Sequence, residues 1–313
     1  ANEVVSGVYG TLITVILFGF WTGFVNVVVQ VLFFALLLSV IAIIIRLTSI
    51  AAYWYTWGRI GANAHIILGL IMAISGLFIP AGFRYIFAYM NSPLGLVSLS
   101  PLEGDVSAAL LSPLYPPLLL HTWFGALSIG FLAAATGFAW ASRRNEYLKG
   151  WAGKAALVGS LLIIPQGVVG FWYWSSLSRY SPHLFYALNT GLIDGVRAQT
   201  NVSHIFLGMV LLGIYLLAAG LIYYSNTNRV SLAYTLAPIS ILSLYLGEIT
   251  QNWGRLPYLI IQGSSGLEAD LFVNRLIPID TSTILIAIAP IVIITIGFVA
   301  LLYYYLAKGF IES

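Results

Sequence analysis

The chain is predicted to be all-α: a polytopic transmembrane helical bundle of about seven spans, with its N-terminus outside and its C-terminus cytoplasmic. Three observations carry this. Hydrophobic residues make up 60% of the 313 positions and charged residues only 7%, which is too apolar for one water-soluble core. The apolar residues fall in runs long enough to cross a hydrocarbon core about 30 Å thick. Most charges gather in the breaks between those runs, as the sequence of a multi-pass plasma-membrane protein requires.

The runs are 10–45, 62–90, 116–141, 152–175, 201–224, 230–251 and 281–307, within a single integral-membrane domain spanning 1–313. The first is too long for a helix perpendicular to the bilayer, so it should tilt, project or break near Gly19 and Gly23. The third descends from Pro116-Pro117, the fifth from Asn201, and the sixth ends in a polar stretch, Gly247 to Tyr258. Arg46, Arg59, Arg143, Arg144, Lys149, Lys154, Arg229 and Lys308, eight of the thirteen Lys and Arg, are assigned to one side. Arg84, Arg179, Arg197, Arg255 and Arg275 are assigned to the other, with Glu103, Asp105, Asp194, Glu268, Asp270 and Asp280. The positive-inside rule makes the first side cytoplasmic. A start at Ala-Asn-Glu with an outside N-terminus matches the product of signal-peptide cleavage.

A net charge of +3 from singly scattered basic residues gives no stripe for nucleic acid. The chain has no cysteine. Thioether-attached haem, thiolate-held iron–sulfur clusters and disulfides are therefore excluded, and a redox group must be held by His, Met, Tyr or carboxylate.

Two histidines meet that need. His121 and His204 each lie a few residues inside the outer end of an apolar run, at matching depth, and each has a glycine one turn deeper, Gly125 and Gly208. Two imidazoles on facing helices, with room beside them for a flat macrocycle, suit one b-type haem. The other reading is a pair of interfacial histidines bonded to loop carbonyls. Met209 is a rival ligand to His204; five positions on a helix turn through about 140°, so the two cannot point at one iron. His65 and His183 lie at other depths. Glu248, Asn252 and Arg255 recur at helical spacing and form one polar stripe. A carboxylate inside a span costs several kcal/mol unless paired or protonated, and Arg255 is its expected counter-ion or a haem-propionate partner.

Here the chain resembles subunit I of the cytochrome bd quinol oxidases. Trp253-Gly254-Arg255-Leu256-Pro257-Tyr258 is similar to that family's Gly-Arg-Gln-Pro-Trp signature, and Leu120-His121-Thr122 to its Val-His-Thr. Ser75-Gly76-Leu77-Phe78 followed by Met90-Asn91-Ser92-Pro93 is similar to Ser-Ala-Leu-Trp and Met-Gln-Asn-Pro. Order and spacing agree over roughly 15–307. The resemblance implies that His121 binds a low-spin b haem near an outer quinol site. It also implies losses. The family's first two helices, with the histidine of the oxygen-reducing haem, have no counterpart. Its high-spin haem glutamate falls on Asn252, with Glu248 one turn away. Its paired proton-conducting glutamates fall on Thr22 and Gln30, which do not ionise at usable pH. Its ligating methionine falls near Phe206, between His204 and Met209. Its quinol loop is shortened to Ser175 through Gln199, where Arg179, Tyr180, His183 and Asp194 are candidate proton acceptors.

The resulting expectation is a membrane b-type cytochrome subunit with one haem b, held by His121 and His204, with Met209, Arg255 and Glu248 close by. It would pass electrons between membrane quinol and an extracytoplasmic cytochrome or other redox subunit, within a hetero-oligomeric complex in the lipid bilayer. Two other readings stand beside it: a bd-type terminal oxidase completed by a sister subunit, and a haem-free membrane anchor of a redox complex.

Overall fold

The computed structural model describes residues 14–99, 102–189, 192–193, 196–197, 200–277 and 280–307. In chain order the elements are α1 (Thr14–Phe20), α2 (Thr22–Val31), α3 (Phe33–Tyr55), α4 (Ala62–Asn91), β1 (Leu96–Leu99), β2 (Leu102–Gly104), α5 (Val106–Ala109), α6 (Tyr115–Ala141), α7 (Tyr147–Tyr180), α8 (Pro182–Asn189), β3 (Leu192–Ile193), β4 (Val196–Arg197), α9 (Ser203–Ser225), α10 (Val230–Arg255), β5 (Tyr258–Gln262), β6 (Ser265–Glu268) and α11 (Thr281–Ala307). Contacts divide the chain into two compact units, one of residues 31–269 and one of 1–30 with 270–313.

In the smaller unit, the apolar run expected to be one span over 10–45 breaks into separate helices. α1 and α2 meet at 107°. The amide of Asn274 donates to the Phe20 carbonyl (2.7 Å) and its side chain to the Gly19 carbonyl (2.9 Å), so two carbonyls freed at the break are satisfied. Gly23 lies against the Phe272 main chain, where an added Cβ would sit 3.0 Å from Cα and press on that backbone. Phe24 closes the contact edge-on to the Phe272 ring. The first full span is therefore α3. α11, 27 residues long, starts at an Asp280 cap whose carboxylate accepts from the Thr283 amide (2.7 Å). That bond pushes the carboxyl down to about 2.

Among the described residues, six helices of the larger unit, α3, α4, α6, α7, α9 and α10, are long and apolar enough to cross a membrane, and the count reaches seven if the bent pair is one span. α6, α7, α9 and α10 pack in a ring, each against the next, with α4 beside α6 and α3 on α4. Lipid offers no hydrophobic drive for helix association, so close packing of small residues must supply it. Leu132 fills the space left by Gly159, and Ser160 fills that left by Gly220. Around them Ala135, Ala139, Ala152, Ala156, Ala219 and Ala233 form the deepest core. Pro80 removes one helical donor from α4; nearby, Ser39 donates to the Ile79 carbonyl (2.7 Å) and the Trp123 indole to that of Leu77 (2.8 Å).

The alternation of spans puts 56–61, 142–146 and 226–229 at one end of this unit and 92–99, 102–114, 181–189, 200–202 and 256–269 at the other. The first end carries Arg59, Arg143, Arg144 and Arg229, with Lys149 and Lys154 in the opening turns of α7. One arginine that the sequence places just beyond a span, Arg46, lies within one instead. Arg46 reaches from α3 to the Met72 carbonyl (2.9 Å) across the gap left by Gly76, and Arg84 sits in α4. At the opposite end β5 and α8 seal the helix tips over a cluster that includes Ala88, Leu118, Leu177, Leu184 and Ile261.

Candidate functional site

The polar residues of α10 point into the larger unit, where α4 and α7 answer them. Arg84 donates to Glu248 at 2.7 Å, an ion pair between residues 164 apart in sequence. The expected Glu248–Arg255 pair is thereby corrected: Arg84 lies seven residues before Asn91 on α4 and Glu248 seven before Arg255 on α10, so they share a depth and Arg255 lies two turns beyond. Arg255 is buried. It donates to Asn252 and to the Met90 thioether (3.2 Å). The Phe87 ring lies between the two guanidiniums, 5.2 Å from Arg84 and 5.5 Å from Arg255. At the same level the Asn91 amide donates to the Tyr173 hydroxyl (2.8 Å), and Tyr173 donates to Gln251 (3.4 Å).

One layer deeper sits His121. Its Nδ1 meets the Gln166 main-chain carbonyl at 3.0 Å, and its ring fills the space beside Gly170 on α7. A carbonyl can only accept, so Nδ1 carries the hydrogen and Nε2 keeps its lone pair. Iron-ligating histidines are held this way. The glycine below it differs from expectation: the room at Gly125 is taken by the Gln166 side chain, 2.8 Å from an added Cβ, whereas nothing lies within 4 Å of one at Gly208.

On α9 the structure separates the two rival ligands. His204 is exposed, so it does not face His121 across the interior as expected. Met209 turns inward, its Sδ 3.3 Å from where a Cβ on Gly247 would stand. Its depth matches His121: Ser160 on α7 bonds the Leu216 carbonyl on α9, so counting seven residues outward along this antiparallel pair sets Met209 level with residue 167, beside Gln166. His121, Gln166, Met209, Gly247 and the Arg84–Glu248 pair thus occupy one layer. Neutral imidazole and thioether are the donors of a low-spin haem, and the residues present fit that group. Among the described residues no cluster of three His, Asp or Glu could hold a bare metal ion.

Of the shortened loop, Asp194 lies outside the described residues. Arg179 stacks over Tyr180 at 5.5 Å. His183 is buried at the outer cap, its Nε2 3.2 Å from the Leu256 carbonyl, its amide bonded to Gly263 and its ring edge-on to Tyr258. That environment ties β5 to α8 and leaves the ring no solvent-facing edge. Burial holds its pKa below the ordinary 6.5. The unfolded chain then binds the proton more readily, so the stability from this group is complete above about 6.5 and is lost as pH falls toward the folded value. We expect the melting temperature to decline below that pH in wild type and the decline to shrink in His183→Gln; equal slopes in both would remove His183 from the account.

Sequence reading missed Arg84, Gln166 and Tyr173. Arg84 carried a usable signal, since it fell inside the predicted 62–90 span, where a charge demands a partner. Gln166 acts through its main chain, which no residue type announces.

The fold and this interior define a multi-pass helical membrane protein with a buried, charged, His- and Met-bearing layer. The sequence profile of cytochrome bd terminal oxidase subunit I matches residues 3–202, and the chain belongs to that family. Among solved structures, the bd oxidase of Geobacillus thermodenitrificans is similar over 97% of this chain and 84% of its own, with a TM-score of 0.83 at 16% identity. No curated protein matches by sequence.

Proposed function

We propose that this chain is the haem-carrying subunit of a bd-type respiratory membrane complex that keeps the outer low-spin site and lacks an oxygen-reducing centre of its own. The observation that carries it is the layer in which His121, oriented by the Gln166 carbonyl, lies level with the inward-facing Met209. A b-type haem bound there supplies one-electron redox chemistry. The chain's residues do the rest: Gln166 fixes the imidazole tautomer, Gly170 and Gly247 admit the two donors, and the Arg84–Glu248 pair and Arg255 set the charge alongside.

Three observations at the positions compared with the family pattern support the missing centre. Asn252 replaces a glutamate and is spent on Arg255. Glu248 is engaged by Arg84. The family's paired glutamates fall on Thr22 and Gln30, and Gln30 donates to Asn26 (2.7 Å), so α2 offers a hydroxyl and amides in place of proton carriers. Electrons then pass between membrane quinol and an extracytoplasmic redox subunit of a hetero-oligomeric complex. The exposed carboxylates Glu103 on β2 and Glu268 on β6 suit a partner with a basic face.

The test is a pyridine haemochrome of the purified protein together with oxygen uptake driven by a reduced quinol. One b haem per chain and uptake no faster than a haem-free control are expected. A d-type or second high-spin haem, or steady uptake, would establish a terminal oxidase; zero haem would leave a membrane anchor.

A further inference from the structure

At the basic end of the larger unit, 20 Å or more of helix away from the haem layer by roughly 1.5 Å per residue, a cavity of about 340 Å³ opens between the ends of α6, α7 and α10. Ser142, Arg143, Glu146, Lys149, Val230 and Tyr234 line it. Arg143 has its guanidinium carbon 5.4 Å from the Tyr234 ring centroid. The Tyr234 hydroxyl is buried with no partner among the described residues. Lys149 pairs with Glu146 at 2.9 Å, and the Glu146 side chain is 78% exposed, free to swing aside for a stronger acceptor. α10 begins at Val230 on the rim, with no side chain capping it, so the positive end of its dipole adds to the arginine.

These groups ask for one ligand chemistry: a phosphate ester whose oxygens accept from a guanidinium, an ammonium and a phenol. The position fixes the source. Trp140, Tyr147, Trp151 and Tyr224 stand exposed around this same end, the aromatic belt that marks a head-group layer. Basic pockets between helix ends at the cytoplasmic side are where anionic lipids dock. We infer that this cavity binds the phosphate head group of an anionic lipid of the cytoplasmic leaflet. The inference is independent of the haem assignment.

The experiment titrates dioleoyl phosphatidylglycerol, dioleoyl phosphatidylcholine and inorganic phosphate into the detergent-solubilised protein and reads the melting midpoint. Phosphatidylglycerol alone should raise it, and Arg143→Gln should need about fivefold more lipid for half the rise, the worth of one cation at such a surface. Should Arg143→Gln fail to fold, Tyr234→Phe, which removes only the hydroxyl, carries the test with the same direction of change. Equal response to phosphatidylcholine, an unchanged midpoint concentration in the folded variant, or the same rise with inorganic phosphate would each overturn the lipid site.

Discussion

Replacing Met209 by leucine is expected to convert the low-spin b-type spectrum of the purified protein to a high-spin one, while His121→Ala abolishes haem binding and His204→Ala leaves the spectrum unchanged. The asymmetry follows from one helix. His204 and Met209 lie about 140° apart around α9, and it is Met209 whose sulfur meets Gly247, whereas His204 is exposed. Of the two proposed donors His121 is the stricter, because its ring is fixed twice, by the Gln166 carbonyl and by the space at Gly170. Gly170→Leu should therefore imitate His121→Ala without touching a ligand: an added Cβ alone would stand 2.9 Å from Nδ1. Met209→His offers a positive control. A nitrogen in place of sulfur should restore a low-spin spectrum and lower the midpoint potential, on the order of 0.1 V, since thioether ligation raises it. Loss of the low-spin band in His204→Ala, with Met209→Leu unaffected, would reverse the assignment.

Most of this fold was legible because span length and polar punctuation are local. The ends of α4, α6, α9, α10 and α11 lie within a few residues of the hydropathy runs, and α7 is longer because its polar ends, with Lys149 and Arg179, continue the helix past the apolar stretch. What was not legible is tertiary. The α1–α2 break is satisfied by Asn274, some 250 residues away, and its glycine is set by Phe272. Arg46 was read as a loop charge because the broken first run shifted the span past it. The candidate site divides the same way. His121 and the Glu248–Asn252–Arg255 stripe could be read from depth and spacing, but the choice between His204 and Met209 depends on which face of α9 turns toward α10. Glu248 was rightly seen to need a partner. Its partner came from α4 rather than from its own helix.

That partnership yields the second large effect. Glu248 is the one carboxylate within the six spans, and Arg84 is the only cation paired with it among the described residues. Arg84→Leu leaves a carboxylate unpaired in an apolar bundle, and the protein should lose about 3 kcal/mol of stability, the lower end for removing one member of a desolvated pair. Glu248→Leu should cost a similar amount by stranding Arg84. Because the penalty belongs to the stranded charge, Arg84→Leu with Glu248→Leu should recover to within about 1 kcal/mol of wild type. Unfolding of the four proteins in a detergent titration gives the coupling directly. The same set separates an ion-pair role from iron ligation: Glu248→Gln should preserve the low-spin haem spectrum if the proposed donors, His121 and Met209, hold the iron. Additive losses in the double variant would remove the ion-pair role, and a high-spin feature that vanishes with Glu248→Gln would make Glu248 a ligand of a second haem and return the oxygen-reducing chemistry to this chain.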